Sequence, residues 1–378
     1  MRHPISVQGN EFAAGGTNRR EFMKIITMAA ASVGLTSSAA TRIAEAATRG
    51  LKPSVVWLHF QACTGCTESL LRTSHPAIAE LILDLISLDY NETLFAAAGH
   101  QAEDALKKAM AENAGKYVCI VEGAIPTKDN GIYCKIAGRT AVDLVTEVAD
   151  KAGAIIAIGS CASWGGIPSA DPNPTGATGA PMVLKGKTVV TIPGCPANPY
   201  NLLGTVLQFV TLGTLPELDE KGRPKWAYGR PIHEDCPRRA HFDAGRFAQK
   251  FGDEGHRQGY CLYKLGCKGP ATHANCSLLR FGETEAWPIG IGHPCVGCTE
   301  QKIAFRVPMH TTIDIDRPTP PDTYPPIHAQ QGHVSAVAAG VGGVVCGGLL
   351  GAGWMASKKL HGGEGEQKQA PAPDRKEG

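Results

Sequence analysis

The chain has 378 residues, of which 43% are hydrophobic, 19% charged and 6% aromatic, a globular composition whose length predicts more than one domain. The formal net charge of only +2 and the lack of a long basic run argue against nucleic acid as a partner. Thirteen cysteines in a chain too long for a small disulfide scaffold make metal sites the leading explanation.

Residues 1–46 have the pattern of a cleavable export signal. Arg19 and Arg20 precede a weakly apolar stretch, 25–40, and a small-x-small cleavage site at 44–46. The paired arginines, followed by phenylalanine and lysine, resemble the twin-arginine type of signal. That pathway is associated with proteins that fold and load cofactors before they cross the membrane. The cysteines can therefore bind metal in the reducing cytoplasm and need not form disulfides outside.

Residues 47–215 alternate short apolar runs with helical patterns. The predicted strands are 54–60, 117–121, 154–158 and 188–192, and the predicted helices are 77–88, 141–152 and 201–212. Short apolar strands that alternate with helices are typical of a buried parallel sheet. This order predicts an α/β domain with a flavodoxin-like, doubly wound parallel sheet.

Four cysteines follow three of these predicted strands. Cys63 and Cys66 follow the first strand, Cys161 follows the third and Cys195 follows the fourth. Ligand sites in open α/β sheets lie outside the carboxyl ends of the strands. The sequence therefore predicts that these four thiols, the first group, gather at one edge of the sheet.

Residues 216–310 are rich in glycine, proline, histidine and cysteine and show little periodicity. Such a segment predicts a small irregular domain that bound metal stabilises. Its metal-ligating residues form a second group, His233, Cys236, Cys261 and Cys267, and a third group, Cys276, Cys295 and Cys298. Pro288 stands between members of the third group and has no donor atom for iron. Spacing alone does not prove these groupings, and a lone C-x-x-C pair fits zinc or a redox disulfide equally well.

The C-terminal region has the pattern of a membrane anchor. A proline-rich linker, 311–332, precedes a predicted transmembrane helix, 333–356, and a polar tail, 357–378. The uncharged part of the helix spans about 34 Å at about 1.5 Å per residue, enough for a bilayer core of about 30 Å. Lys358 and Lys359 follow directly and predict a cytoplasmic tail, with the body on the exported side.

Several short motifs together resemble the small subunits of nickel–iron hydrogenases. They are Cys63-Thr64-Gly65-Cys66-Thr67-Glu68-Ser69, Val121-Glu122-Gly123, Cys161-Ala162-Ser163-Trp164-Gly165, Pro193-Gly194-Cys195-Pro196, His241-Phe242-Asp243-Ala244-Gly245, Leu265-Gly266-Cys267-Lys268-Gly269-Pro270 and Gly292-His293-Pro294-Cys295. The match runs in order from about residue 53 to residue 310. With the export signal and the anchor, the chain is similar to the membrane-bound uptake branch of that family.

The resemblance implies three iron–sulfur clusters. Cys63, Cys66, Cys161 and Cys195 would hold a proximal [4Fe-4S] cluster, and His233, Cys236, Cys261 and Cys267 a distal [4Fe-4S] cluster. Cys276, Cys295 and Cys298 would hold a medial [3Fe-4S] cluster, with Pro288 near its vacant corner. Cys119, Cys134 and Cys346 are expected to be buried or free thiols, and Glu68 a capping or interface carboxylate.

The same resemblance implies the function. The chain would relay electrons from H2 oxidation at the nickel–iron site of a large subunit to the quinone pool. The acceptor would be an integral membrane subunit, of cytochrome b type or another quinone-reducing kind. The chain would be a hydrogenase only with its large subunit and would carry no catalytic residue of its own; a dimer of heterodimers fits the resemblance. Oxygen-tolerant relatives carry two extra cysteines where this chain has Gly65 and Gly166, so an oxygen-sensitive enzyme is expected.

Three alternatives compete with this interpretation. The catalytic large subunit of such an enzyme has a histidine after its C-terminal C-x-x-C pair, which is missing after Cys298. The related cluster-bearing subunit of respiratory NADH dehydrogenase has one cluster and lacks the segment after residue 215. The alternative from another class is a non-redox, zinc-stabilised exported surface protein, which analysis for iron and acid-labile sulfide distinguishes.

Overall fold

The computed structural model describes residues 52–73, 78–82, 86–281 and 286–315, all within one compact unit. The predicted export signal, 1–46, and the predicted membrane helix, 333–356, lie outside these residues, as does Cys346. Within the described ranges, no helix is long and apolar enough to cross a membrane.

A five-stranded parallel sheet forms the centre of the fold. Its strand order is β2-β1-β3-β7-β9, and every pairing in it is parallel. These strands are β1 Ser54–His59, β2 Ser87–Asn91, β3 Val118–Glu122, β7 Ala154–Ile158 and β9 Val189–Ile192. Short antiparallel pairs are formed by β4 Ile125–Pro126 with β8 Ala177–Thr178, and by β5 Lys135–Ile136 with β6 Arg139–Thr140.

Helices connect the strands and continue into the second half of the chain. In the first half they are α1 Gly65–Leu71, α2 Ile78–Glu80, α3 His100–Glu112, α4 Ala141–Asp150, α5 Gly159–Trp164, α6 Ala180–Val183 and α7 Pro199–Leu212. The later ones are α8 Lys225–Tyr228, α9 Arg239–Asp243 and α10 Glu254–Arg257. Single 3-10 turns are Lys128–Gly131, Ile167–Ser169, Tyr263–Leu265 and Gly269–Ala271. After residue 212 the described helices have at most five residues, so loops dominate that part.

The sheet is covered on both faces, as a parallel sheet requires. Successive residues of a strand point to opposite faces, and along β1 Val55 and Trp57 join one buried core while Val56 and Leu58 join the other. The first core also contains Leu262 and other side chains from the irregular segment after residue 215. That segment therefore obtains much of its apolar burial from the α/β part of the chain.

The predicted α/β fold with a parallel sheet is confirmed, and so are the four predicted strands and two of the three helices, with ends shifted by one or two residues. The predicted helix 77–88 is wrong in its second half, because β2 begins at Ser87. Strand β2 and helix α3 were not predicted. The domain boundary at 215/216 remains a prediction.

Candidate metal centre

The first group of cysteines lies at the carboxyl edge of the sheet. Cys63 and Cys66 come from the loop after β1 and the first turn of α1, Cys161 from α5 after β7, and Cys195 from the loop after β9. The four thiols interact electrostatically with one another. Cys66 is buried and Cys161 is half-buried, while Cys63 and Cys195 are exposed. The first group is therefore accessible from outside the chain at this edge of the sheet.

Gly159 allows the chain to turn directly beneath Cys66. Its φ of 79° is in the left-handed region that favours glycine. A Cβ atom here would lie 2.5 Å from the Cys66 Sγ, a distance that real Cβ atoms do not show. The strand-to-helix turn at β7 is therefore shaped around this sulfur.

Glu122, at the carboxyl end of β3, is a site residue to which the sequence assigned no role. Its buried carboxylate accepts hydrogen bonds from the Cys66 backbone N–H at 3.0 Å and the Thr67 hydroxyl at 2.6 Å. The ring nitrogen Nε2 of His59 lies 3.1 Å from it. Burial alone would raise the pKa of Glu122, but hydrogen bonds from His59 and Thr67 hold it below its ordinary value. The carboxylate fixes the backbone of Cys66. The sequence signal that could have identified Glu122 is an acidic residue at the end of a buried strand.

His59 completes this buried network. Its Nδ1 atom lies 3.1 Å from Glu92, on the side opposite Glu122. Burial would lower the pKa of His59, but the hydrogen bonds to Glu122 and Glu92 outweigh burial and raise it to about 9. Two carboxylates and one imidazolium thus stand within hydrogen-bond reach behind the first group.

Thiols in all three groups have raised pKa values. Burial comes first among the causes, and neighbouring thiols add to it; the pKa of Cys161 rises to about 11 and that of Cys236 to about 12. Nucleophilic cysteines show the opposite, a lowered pKa. The raised pKa values therefore argue against activated nucleophiles at these positions. The twelve cysteines in the described part of the chain are all free.

The second group lies around a narrow cavity that opens to solvent. His233, Cys236, Cys261 and Cys267 all line it. The Nε2 atom of His233 is buried and has no hydrogen-bond partner in the described part of the chain. Burial first, and then Arg239, lower the pKa of His233 to about 4. A neutral imidazole with an unused nitrogen beside three thiols fits a ligand to iron.

The third group lies between the other two. Cys276, Cys295 and Cys298 interact electrostatically with one another. Cys298 also interacts electrostatically with Cys195 of the first group, and Cys295 with Cys267 of the second group. The structure thus brings the groups together in the order first, third, second.

No three histidine, cysteine, aspartate or glutamate side chains converge closely enough for a single metal ion, within the ranges that the structure describes. The Pro288 carbonyl accepts a hydrogen bond from the backbone N–H of His293, two residues before Cys295, at 2.8 Å.

A buried charge network supports the loop of the third group. Glu300, two residues after Cys298, accepts hydrogen bonds from Arg223 at 2.8 Å and from the His273 backbone N–H at 3.0 Å. Burial would raise the pKa of Glu300, but His273, Lys221 and Arg223 hold it well below its ordinary value. Glu300 therefore ties together the chain before the second group and both ends of the third.

Other features lie away from the three groups. Cys119 is fully buried in β3 and Cys134 is half-buried, as expected of unused thiols. Glu68 forms an exposed ion pair with Arg72 at 2.6 Å. A groove of about 890 Å³ beside β2 is lined by residues such as Glu92 and Arg139 and contains none of the predicted ligands. Despite its volume, this groove is not the candidate metal centre, because the predicted metal ligands lie elsewhere.

Two family models match separate parts of the chain. Residues 63–209 match the family described as NADH ubiquinone oxidoreductase, 20 Kd subunit. Residues 228–310 match the C-terminal region of the NiFe/NiFeSe hydrogenase small subunit. The second match lies in the segment after residue 215, which is the segment that distinguishes hydrogenase small subunits from the related NADH dehydrogenase subunit.

Whole-chain relatives agree with the second match. The Hydrogenase-2 small chain of Escherichia coli is 52% identical over 347 residues, 91% of this chain and 93% of that protein. The Quinone-reactive Ni/Fe-hydrogenase small chain of Wolinella succinogenes is 48% identical over 287 residues, 75% of this chain and 81% of that protein. The reduced, active Ni-Fe-Se hydrogenase from Desulfomicrobium baculatum aligns with a TM-score of 0.65 at 34% identity, covering 69% of this chain and 100% of that one.

Proposed function

Because the chain belongs to the small-subunit family of nickel–iron hydrogenases, we propose that its three groups hold a row of three iron–sulfur clusters. As a small subunit it is the electron-transfer part of an oxidoreductase and works with a large subunit. When bound, iron–sulfur clusters accept and release single electrons, at potentials set by charge, hydrogen bonds and exposure. The zinc-stabilised surface protein has no support among the relatives.

The first group is proposed to hold a [4Fe-4S] cluster next to the large subunit. The exposure of Cys63 and Cys195 supports this, since a partner must cover that edge to bring a second centre near. Glu122 would fix the Cys66 backbone through its 3.0 Å hydrogen bond. Gly159 would leave room for the Cys66 sulfur.

The second group is proposed to hold a [4Fe-4S] cluster at the exit, and the unpartnered Nε2 atom of His233 is the observation that carries this proposal. A buried polar atom without a partner costs about 1–3 kcal/mol, so a native chain rarely leaves one unused. Iron supplies that partner, and three thiols line the same cavity. The ring stays oriented by its edge-to-face contact with Phe242, whose centroid lies 4.5 Å away.

The third group is proposed to hold a [3Fe-4S] cluster between the other two. It offers three thiols, and Pro288 offers no ligand at the fourth corner. The electrostatic interactions of Cys298 with Cys195 and of Cys295 with Cys267 support a relay in the order first, third, second. Short steps of this kind let electrons cross the chain without leaving the protein.

The cellular setting belongs to the same proposal. The twin-arginine pattern of 1–46 and the uncharged segment 333–356 support an exported body with a membrane anchor and a cytoplasmic tail. A relative described as quinone-reactive supports an integral membrane acceptor, of cytochrome b type or another quinone-reducing kind. The enzyme would then be a membrane-bound heterodimer, alone or paired with a second one.

A His233→Ala variant of the heterodimer tests the exit cluster. Reduction of an external acceptor should fall about tenfold or more, as for other changes at metal sites. Exchange between H2 and deuterated water at the large subunit should be largely spared, because that chemistry precedes the exit. Acceptor reduction and isotope exchange are both measured on the same preparation.

His241→Ala is the matched control, since His241 is equally buried and also has an unpartnered ring nitrogen among the described residues but belongs to no group. It should leave both activities near the wild-type values. If His233→Ala abolishes both activities together, His233 is a folding residue and the proposed role is wrong.

A further inference from the structure

Lys268 is a fully buried lysine placed between two of the groups. Its exposed fraction is 0%, and it directly follows Cys267 of the second group. Its backbone N–H donates to the carbonyl of Cys295, in the third group, at 2.8 Å. Its Cβ atom also lies 3.3 Å from the position that a Cβ on Gly297 would occupy. Lysine is rarely buried to this degree. Lys268 is not one of the predicted cluster ligands, so ligation does not explain its burial.

The ammonium is surrounded by carbonyl oxygens. Its Nζ atom donates to Gly266 at 2.9 Å, to Pro308 at 3.1 Å, to Met309 at 3.2 Å, and to Thr311. Every one of these partners is an acceptor, so an uncharged amine would turn its lone pair toward one of them, whereas an ammonium has three donors and no lone pair. Burial lowers the pKa of Lys268, while the surrounding carbonyl acceptors match the three donors of the charged form.

Within the described part of the chain, the ionisable groups that interact with this ammonium are thiols rather than carboxylates. It interacts with Cys267 and Cys295, one member of each group. In a protein interior the effective dielectric constant is far below that of water, so a fixed charge acts over a longer range. The first group is separated from Lys268 by the third group.

We propose that Lys268 is a positioning residue whose buried positive charge raises the reduction potentials of the centres held by the second and third groups. Each reduction adds one electron to a centre, and a nearby positive charge stabilises that added electron. The charge favours electrons on the exit side of the relay and so helps to draw them away from the large subunit. This inference rests on the proposed clusters and goes beyond them, since Lys268 is not a ligand.

The test is a redox titration of the purified heterodimer, followed by EPR, for Lys268→Met and Lys268→Gln. Both changes remove the charge, and the glutamine still donates hydrogen bonds to the carbonyl shell. The midpoints of the second and third centres should shift to more negative values in both variants, while the first centre stays unchanged as an internal reference. Lys302→Met, an exposed lysine in the same region, is the matched control and should shift none.

Two results would overturn the proposal. Midpoints that do not move, or that move equally in all three centres, would show that the charge does not act locally. Loss of iron from the second and third groups in both variants would show that Lys268 is a structural residue. If the unmodified heterodimer lacks the clusters, the proposed function fails, and that outcome is visible before any variant is made.

Discussion

A Gly159→Ala variant is expected to lose the centre held by the first group and, with it, H2 oxidation. The added Cβ would lie 2.5 Å from the Cys66 sulfur and 3.6 Å from the Gly194 carbonyl. Cys66 cannot retreat, because it is buried and its backbone is held by Glu122. Overpacking of this kind costs about 1–3 kcal/mol, which corresponds to about a tenfold to hundredfold loss of correctly formed centre.

The matched control is Gly138→Ala in the β5–β6 turn. Gly138 has a φ of 81°, nearly that of Gly159, but nothing lies within 4 Å of its Cβ position. Both variants share the backbone strain of a left-handed alanine, about 1 kcal/mol, so their difference reports the crowding at Cys66. Iron content and H2 oxidation are measured for each heterodimer. Equal iron content in the two variants would contradict the assignment of Cys66.

The purified heterodimer is expected to lose H2 oxidation in air. Oxygen-tolerant relatives have extra cysteines at the positions of Gly65 and Gly166, and glycine supplies no donor atom. The backbone agrees with glycine at 166, where φ is 48° and a Cβ would lie 2.7 Å from the Cys161 backbone nitrogen. An ordinary four-thiolate cluster that exchanges one electron is therefore expected.

This expectation is checked by following H2 oxidation in air and under nitrogen on the same sample. Activity should fall in air, and titration should show one redox step for the first centre. Sustained oxidation in air, or a second redox step at that centre, would contradict the prediction. A Gly166→Cys change is not expected to supply tolerance, because the added Cβ would lie 2.7 Å from both the backbone nitrogen and the Sγ atom of Cys161.

The central part of the fold could be predicted because buried parallel strands are continuous apolar runs. Every residue of a strand such as β7, Ala154–Ile158, is buried, so the strand appears in the sequence as an uninterrupted apolar run. The rule that ligands lie at the carboxyl ends of such strands then places four cysteines at one edge. The structure brings these four thiols together as the rule predicts.

The edge of the sheet could not be predicted in the same way. Strand β2 carries Ser87, Asp89 and Asn91, and three of its five residues are only half-buried, so it lacks the apolar run of a central strand. Four of the six apolar residues in helix α3 are alanines, so its apolar face is weak. Both elements depend on tertiary contacts with β1, which a local pattern does not reveal.

Sequence spacing alone also could not assign the ligands after residue 215 to separate groups. The segment has little periodic structure, and its loops are joined by isolated contacts such as the bridges Phe247–Cys261 and Pro231–His273. The resemblance to a family supplied the groups, while the structure adds His233 in the cavity and the contacts between groups. Glu122 and Lys268 were quoted only as parts of motifs, since burial and hydrogen bonds are properties of the fold.

The most direct test of the central claim is Mössbauer and EPR spectroscopy of the purified heterodimer, together with analysis of iron, acid-labile sulfide and zinc. We predict two [4Fe-4S] clusters and one [3Fe-4S] cluster in this chain. The [3Fe-4S] cluster should be paramagnetic in the oxidised protein. A Pro288→Cys variant should supply the missing ligand and convert the three-iron cluster of the third group into a [4Fe-4S] cluster. A single type of cluster, or zinc without sulfide, would contradict the account.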